Sequence, residues 1–350
     1  MSRRRVEVPA RAMVAGVGAR AHHGLSALQV TMSVRAQHLD PSESHLVDKH
    51  GEPVSMCRVA SIGDDVVGFE RFVALAAPAM REAMGRSGNA EPVPVFLALP
   101  HRERPGYDPR LDGELFDALE EASGATIHHR HSRLFPLGRA GGIHALLAGL
   151  ELIESGGVSE VLVGGVDSYF DPDVLEHLDR ELRLHSLDTE NGMLPGEGAA
   201  FLRLARAAHV SGALAAVYAA AVAKEPHPYG AEEPCLGAGI TTAARQVVEA
   251  VGSPEDLVGW VLTDVVDERH RVDEWSYAMA RLHRAFTAEV VHDQPLLSTG
   301  DVGAAAVPML AVVACMRWHT ACGLGDYALL AAHSDGVERG AAFLSAGGSA

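Results

Sequence analysis

Short, nearly unbroken apolar runs alternate along the chain with stretches in which apolar residues recur every three or four positions. The runs AMVAGVG (12–18), PVPVFLALP (92–100), SEVLVGGVD (159–167) and GAAFLRLA (198–205) predict strands, and the periodic stretches 24–36, 68–86, 111–123 and 141–155 predict helices. This alternation is the pattern of an α/β protein with mostly parallel sheets. After AAHVSG (207–212) the order begins again. Strands are predicted at 213–223, 257–266, 326–333 and 338–347, and helices at 241–251, 271–286 and 302–316. The chain therefore reads as two similar halves, 1–207 and 208–350. Segments 38–66 and 226–238, rich in Pro, Gly and charge, are predicted as long surface loops.

Composition narrows the function classes. With 350 residues the chain is long for one core, and 47% apolar content is enough to fill two. A formal charge of −17 argues against nucleic acid or an anionic membrane as the main partner. Arg3, Arg4 and Arg5 form the one basic cluster and are read as a solvated terminus. The four cysteines (Cys57, Cys235, Cys315 and Cys322) have no paired spacing, so neither a disulfide framework nor a metal site is expected. No cofactor is expected either. No apolar stretch is long enough for a membrane span and the N-terminus has no signal-peptide core, which makes a cytoplasmic location the expectation.

Four segments in order carry a family resemblance: SEVLVGGVDS, PGEGAAFLRLA, STGDVGAAAVPMLAVV and CGLGDYALLAA. A fainter one is AMVAGVGARAHHGLSAL. Together they resemble the thiolase-fold superfamily and, within it, the β-ketoacyl synthases. The resemblance implies an α/β thiolase-like fold of five αβαβα layers with two pseudo-duplicated halves. It also implies homodimerisation through the strand before the nucleophile helix, here about 125–133. Such condensing enzymes need a thiolate where the central helix begins and two neutral donors for the developing enolate and oxyanion. Matching GRAGGIHAL, VLTDVVDE and TGDVGAAAVP to those motifs puts Arg139 at the nucleophile and Asp264 and Asp301 at the two donors.

None of these three replacements preserves its role. A guanidinium stays protonated and cannot be the nucleophile, and carboxylates repel an enolate. Arg139, Asp264 and Asp301 are therefore expected to pair in the former site; the alternative is an Arg139 that points into solvent. Cys322 is the alternative nucleophile, since CGLG resembles the Gly-rich turn that carries a second reactive cysteine in thiolases; the other reading is a structural thiol. His129 and His131, on a predicted strand, would share one face, either as metal ligands or as partly exposed side chains. His22 and His23 follow the first strand, near the catalytic face in this fold or simply on the surface. Glu197 is expected to hold its turn through backbone hydrogen bonds.

The resulting expectation is a degenerate synthase-like protein, a pseudoenzyme acting as a structural or adaptor protein. The segments GGVDSY, RLHS, PGEGAA, DEW and SDG also resemble a subgroup that accompanies bacterial type VI secretion effector modules. That resemblance implies a secretion effector, a spike-tip protein or an adaptor as partner. The rival is an acyl-transferring enzyme that uses Cys322, with Arg139 binding an anionic substrate group.

Overall fold

The computed structural model describes residues 6, 8–85, 91–252, 255–266 and 268–347. The first half contains β1 (Ala12–Ala21), α1 (Ala27–Arg35), β2 (Ser42–Val47), β3 (Pro53–Met56), α2 (Gly68–Met84), β4 (Val95–Leu99), α3 (Arg110–Gly113), α4 (Leu115–Ser123), β5 (Arg133–Pro136), α5 (Gly141–Glu154), β6 (Glu160–Ser168), α6 (Pro172–Arg180) and β7 (Glu197–Ala205). It is followed by β8 (Ala215–Lys224), α7 (Ala238–Ala250), β9 (Val258–Thr263), α8 (Arg269–Leu282), β10 (Phe286–Asp293), α9 (Leu296–Thr299), α10 (Ala306–His319), β11 (Tyr327–His333) and β12 (Glu338–Ala346).

The sheet order is β10-β9-β11-β12-β8-β1-β7-β6-β4-β5. Its two arms match strand for strand. In β1-β7-β6-β4-β5 the first two pairings are antiparallel and the last two parallel, and β8-β12-β11-β9-β10 repeats that sequence. The arms join where Ala12, Met13 and Val14 pair antiparallel with Val217, Ala216 and Ala215. The sheet is thus mixed in direction, and mostly parallel only between the outer three strands of each arm.

The strands read as unbroken apolar runs because helices cover both faces. On β4, Val95, Leu97 and Leu99 pack outward with α2 and α4, while Phe96 packs inward. On β11, Leu329 and Ala331 face α7 and α8, while Ala328, Leu330 and Ala332 face inward. Between the arms lie α5 and α10. Residues Ala306 to Cys315 of α10 are all buried, which a helix tolerates only when it is enclosed on every side. This gives five layers, αβαβα. The two central helices meet at Gly142, where a Cβ would lie 2.6 Å from Val307 Cβ and 2.8 Å from Pro308 Cδ. Gly142→Ala is therefore expected to lower stability by roughly 1–3 kcal/mol through overpacking, measured by chemical denaturation.

Several sequence expectations are corrected. Segment 38–66 contains the β2–β3 hairpin. Segment 125–133 is not a strand: His129–His131 form one turn of 3-10 helix, and only Arg133 belongs to the four-residue edge strand β5. His129 and His131 accordingly share no strand face. His128 stacks on His131 with ring centroids 4.3 Å apart, and His129 turns to Glu120 at 2.9 Å. Strands β5 and β10 and helix α6 were not anticipated. Arg3, Arg4 and Arg5 lie outside the described residues. No helix among the described residues is long and apolar enough to cross a membrane.

Candidate functional site

The C-terminal ends of β6, β9 and β11 and the starts of α5 and α10 converge on one recess. Arg139 sits in the turn before α5, with Gly138 at φ +68° reversing the chain just ahead of it. The helix end is capped from the other half of the molecule. The Ala140 N–H donates to Ser334 Oγ at 3.0 Å, and the Ser334 hydroxyl donates to the Leu137 carbonyl at 2.5 Å. A cation at a helix N-terminus opposes the helix dipole by about 0.3–1 kcal/mol when exposed, so a buried one needs anionic partners.

Arg139 is 3% exposed and has two such partners. Its closest is Asp301, fully buried, which Nη2 meets through Oδ2 and Nε meets through Oδ1 at 3.2 Å. Oδ1 of Asp301 also accepts the Gly303 N–H at 2.8 Å, which ties the pair to the turn that opens α10. The second partner is Asp335, 3.4 Å from Nη1 in the turn between β11 and β12.

Asp335 extends the pair into a network. It also accepts from Arg183 at 3.1 Å and from Arg271, and both arginines bind Glu268, at 2.7 Å and 2.9 Å. Arg139, Arg183 and Arg271 thus face Asp301, Asp335 and Glu268, and the cluster is charge-balanced. Burial works to raise the Glu268 carboxyl, but Arg271, Arg183 and Arg139 bring it down to about 2. Asp335 is half exposed at the recess mouth. Desolvation there also opposes its charge, and Arg271, Arg183 and Arg139 outweigh it, holding the carboxyl well below the usual range.

Asp264 does not pair with Arg139, which corrects the three-residue cluster expected from sequence. It is fully buried at the end of β9, where Oδ2 accepts the His333 backbone N–H and Oδ1 lies 2.8 Å from His333 Nδ1. Burial raises its pKa, but His333 foremost, then Arg271 and Arg139, make the net shift downward. Its hydrogen-bonded link to the cluster runs through His333, whose carbonyl accepts from Arg271 at 2.5 Å.

In front of Arg139 opens a pocket of about 520 Å³, walled by Arg104, Tyr169, Arg183, Tyr229 and Asp335. Arg104 is paired at 2.7 Å with Asp167 at the end of β6, and Asp167 Oδ2 accepts the Ala304 N–H at 2.8 Å. Asp167, like Asp301 through Gly303, therefore fixes the turn that opens α10.

The remaining sequence candidates lie elsewhere. Cys322 precedes β11, whereas the recess is at the far end of that strand, and seven residues of strand span roughly 20 Å. The turn that faces the site in the last hairpin is Ser334–Asp335–Gly336, not CGLG. Cys322 is partly buried and its thiol donates to the Thr320 carbonyl at 3.3 Å. His22 lies against two backbone carbonyls, those of Arg58 and Asp40, each at 2.7 Å, with His23 against its ring. Glu197 does not hold its own turn through backbone bonds: the one backbone N–H it accepts is that of Val59 in another segment, and its main partner is the buried Arg71, at 2.5 and 2.8 Å. Arg183 and Asp335 stand inside RLHS and SDG, two segments first noted only for resemblance. Arg271 and Glu268 had no signal beyond their charge.

Comparison with protein-family models and with curated proteins finds no match. Solved structures do match over nearly the whole chain. A ketosynthase from module 6 of the bacillaene synthase of Bacillus subtilis 168 has a TM-score of 0.78 at 13% identity, covering 96% of this chain and 72% of that one. A type II polyketide synthase ketosynthase, bound to the hexaketide and in complex with its acyl-carrier protein, has a TM-score of 0.77 at 15% identity, covering 97% and 100%. A ketosynthase in complex with its chain length factor, from Xenorhabdus doucetiae, has a TM-score of 0.71 at 14% identity, covering 96% and 98%. The fold is thus the thiolase-like fold of ketosynthases.

Proposed function

We propose that this chain is a ketosynthase-like protein without condensing activity, which acts as a structural or adaptor protein by offering its surface or its pocket to a protein partner. The observation that carries the reading is the buried Arg139–Asp301 pair at the start of α5. By the motif resemblance, that pair takes the place of both the nucleophile and one donor. A guanidinium held between two carboxylates is neither a nucleophile nor a base. Asp264, the residue aligned with the other donor, has both carboxylate oxygens committed to His333. Binding chemistry remains: a pocket of about 520 Å³ with arginine and tyrosine walls.

A protein partner is consistent with two matching structures, whose ketosynthases are complexed with an acyl-carrier protein and with a chain length factor. The subgroup-level resemblance narrows that partner to a secretion effector, a spike-tip protein or an adaptor of a type VI system, in the cytoplasm. Self-association as a homodimer belongs to the same reading, although the edge strand β5 offers only four residues. The rival enzyme built on Cys322 loses its geometric basis, since that thiol and the pocket are at opposite ends of β11.

The test has two readouts. With acyl and malonyl thioesters the protein is expected to give no β-ketoacyl product, and when isolated from its host it is expected to carry a stoichiometric protein partner. Product formation, or recovery of the chain alone, overturns the proposal.

A further inference from the structure

A second cluster of ionisable groups lies in the other half; none of its three residues lines the pocket, although the loop that carries one of them also supplies the pocket wall Tyr229. Glu225 follows β8, Cys235 lies in the loop 226–237, and Glu274 is on α8; one ligand atom from each lies within 4.8 Å of the others. Both glutamates are buried, at 1% and 2% exposure, and Cys235 is partly exposed. Glu225 is only half satisfied. Its Oε2 accepts the Gly239 N–H at 2.7 Å, but its buried Oε1 has no hydrogen-bond partner. A buried carboxylate oxygen without a donor is costly unless something positive meets it.

The loop is built into place. Gly237 has φ +65°, and a Cβ there would come within 2.5 Å of the Glu274 carbonyl. The Thr241 hydroxyl donates to the Gly237 carbonyl at 2.5 Å, and Arg281 of α8 donates to the Leu236 carbonyl. Arg339 grips Glu274 through both its oxygens, at 2.5 and 3.0 Å, and fixes its orientation.

We propose that Glu225, Cys235 and Glu274 form a binding site for a zinc-like divalent metal ion, with a fourth position open on the partly exposed Cys235 side. One thiolate among two carboxylates selects zinc over magnesium or calcium, which prefer all-oxygen shells. Donor atoms around a tetrahedral zinc lie about 3.5 Å apart, so closing from 4.8 Å takes movements of about an ångström. Charge also balances, since three anionic ligands face a divalent ion and Arg339. On binding, the Cys235 S–H bond breaks, the sulfur bonds the metal and the proton leaves to solvent. Cysteine spacing gave no sign of this site because its ligands come from a strand end, a loop and a helix.

The site is independent of the reading of Arg139. It is tested on the full untagged chain, stripped with chelator and titrated with zinc against a chromophoric competitor. One tight equivalent is expected, and cobalt is expected to give sulfur-to-metal charge-transfer absorption in the near ultraviolet. Cys235→Ser, at a partly exposed position, should abolish that absorption and weaken zinc binding by at least about tenfold, with Glu225→Gln weakening it similarly. Zinc held by any of the 19 histidines elsewhere would survive Cys235→Ser. Undiminished binding in that variant, no tight equivalent in the wild type, or cobalt without the absorption overturns the proposal.

Discussion

Arg139→Cys is expected to destabilise the protein by about 3–5 kcal/mol and to yield no condensation product. The stability loss follows from what the substitution leaves behind. Asp301 is fully buried and would keep only the Gly303 N–H, whereas Asp335 retains Arg183 and Arg271. An uncompensated buried carboxylate is the expensive product, so adding Asp301→Asn to Arg139→Cys should recover part of the loss. Chemical denaturation of the three proteins measures both effects. A double variant no more stable than Arg139→Cys alone would mean that Asp301 draws little from the pair. Condensation should stay absent because a new thiol at the start of α5 would still face the Asp301 carboxylate where the resemblance calls for a neutral donor, and Asp264 is committed to His333.

The second large effect is acid sensitivity. Glu268 has a folded pKa of about 2 against an ordinary 4.5, and Asp264 and Asp335 are also held low by their cations. A carboxyl depressed in the folded state contributes stability that is fully present above its unfolded pKa and is lost as pH falls toward its folded pKa. The contribution of these carboxylates should therefore be level above about pH 5 and fall steeply from about pH 4.5 toward 2, below the window from about 6.5 to 4 in which the half-buried His270, held down to about 4, costs stability. Glu268 alone accounts for about 3 kcal/mol of that fall. Glu268→Gln should start from lower stability and show a shallower slope in that window. Parallel slopes for wild type and variant between pH 4.5 and 2.5 would contradict the assignment.

How much of this was legible in the sequence depends on what each residue had for neighbours. Strands enclosed by helices on both faces, such as β4, β6 and β7, are continuous apolar runs and stand out. The edge strands do not. β10 reads FTAEVVHD, largely unburied, and β5 is four residues beside a histidine cluster. Helix α6 carried a readable start: the Asp171 side chain accepts the N–H groups of Asp173 and Val174, with Pro172 in the first turn.

The site was legible only through alignment to a known motif order, because Arg139 and Asp301 are 162 residues apart and neither has a local pattern. Asp264 was placed at the right strand end, yet its partner went unforeseen because the fold alone brings His333 beside it. Asp335 carries no local signal, because SDG reads as an ordinary hairpin turn and only the fold brings it beside Arg139, Arg183 and Arg271.

The most direct test of the central claim is intact-mass spectrometry of the wild-type protein after incubation with acyl thioesters. The account predicts an unmodified mass, since Arg139 stands where the motif resemblance places the nucleophile and none of the four cysteines lines the pocket. A stoichiometric acyl adduct, on Cys322 above all, would contradict it and restore an acyl-transferring enzyme.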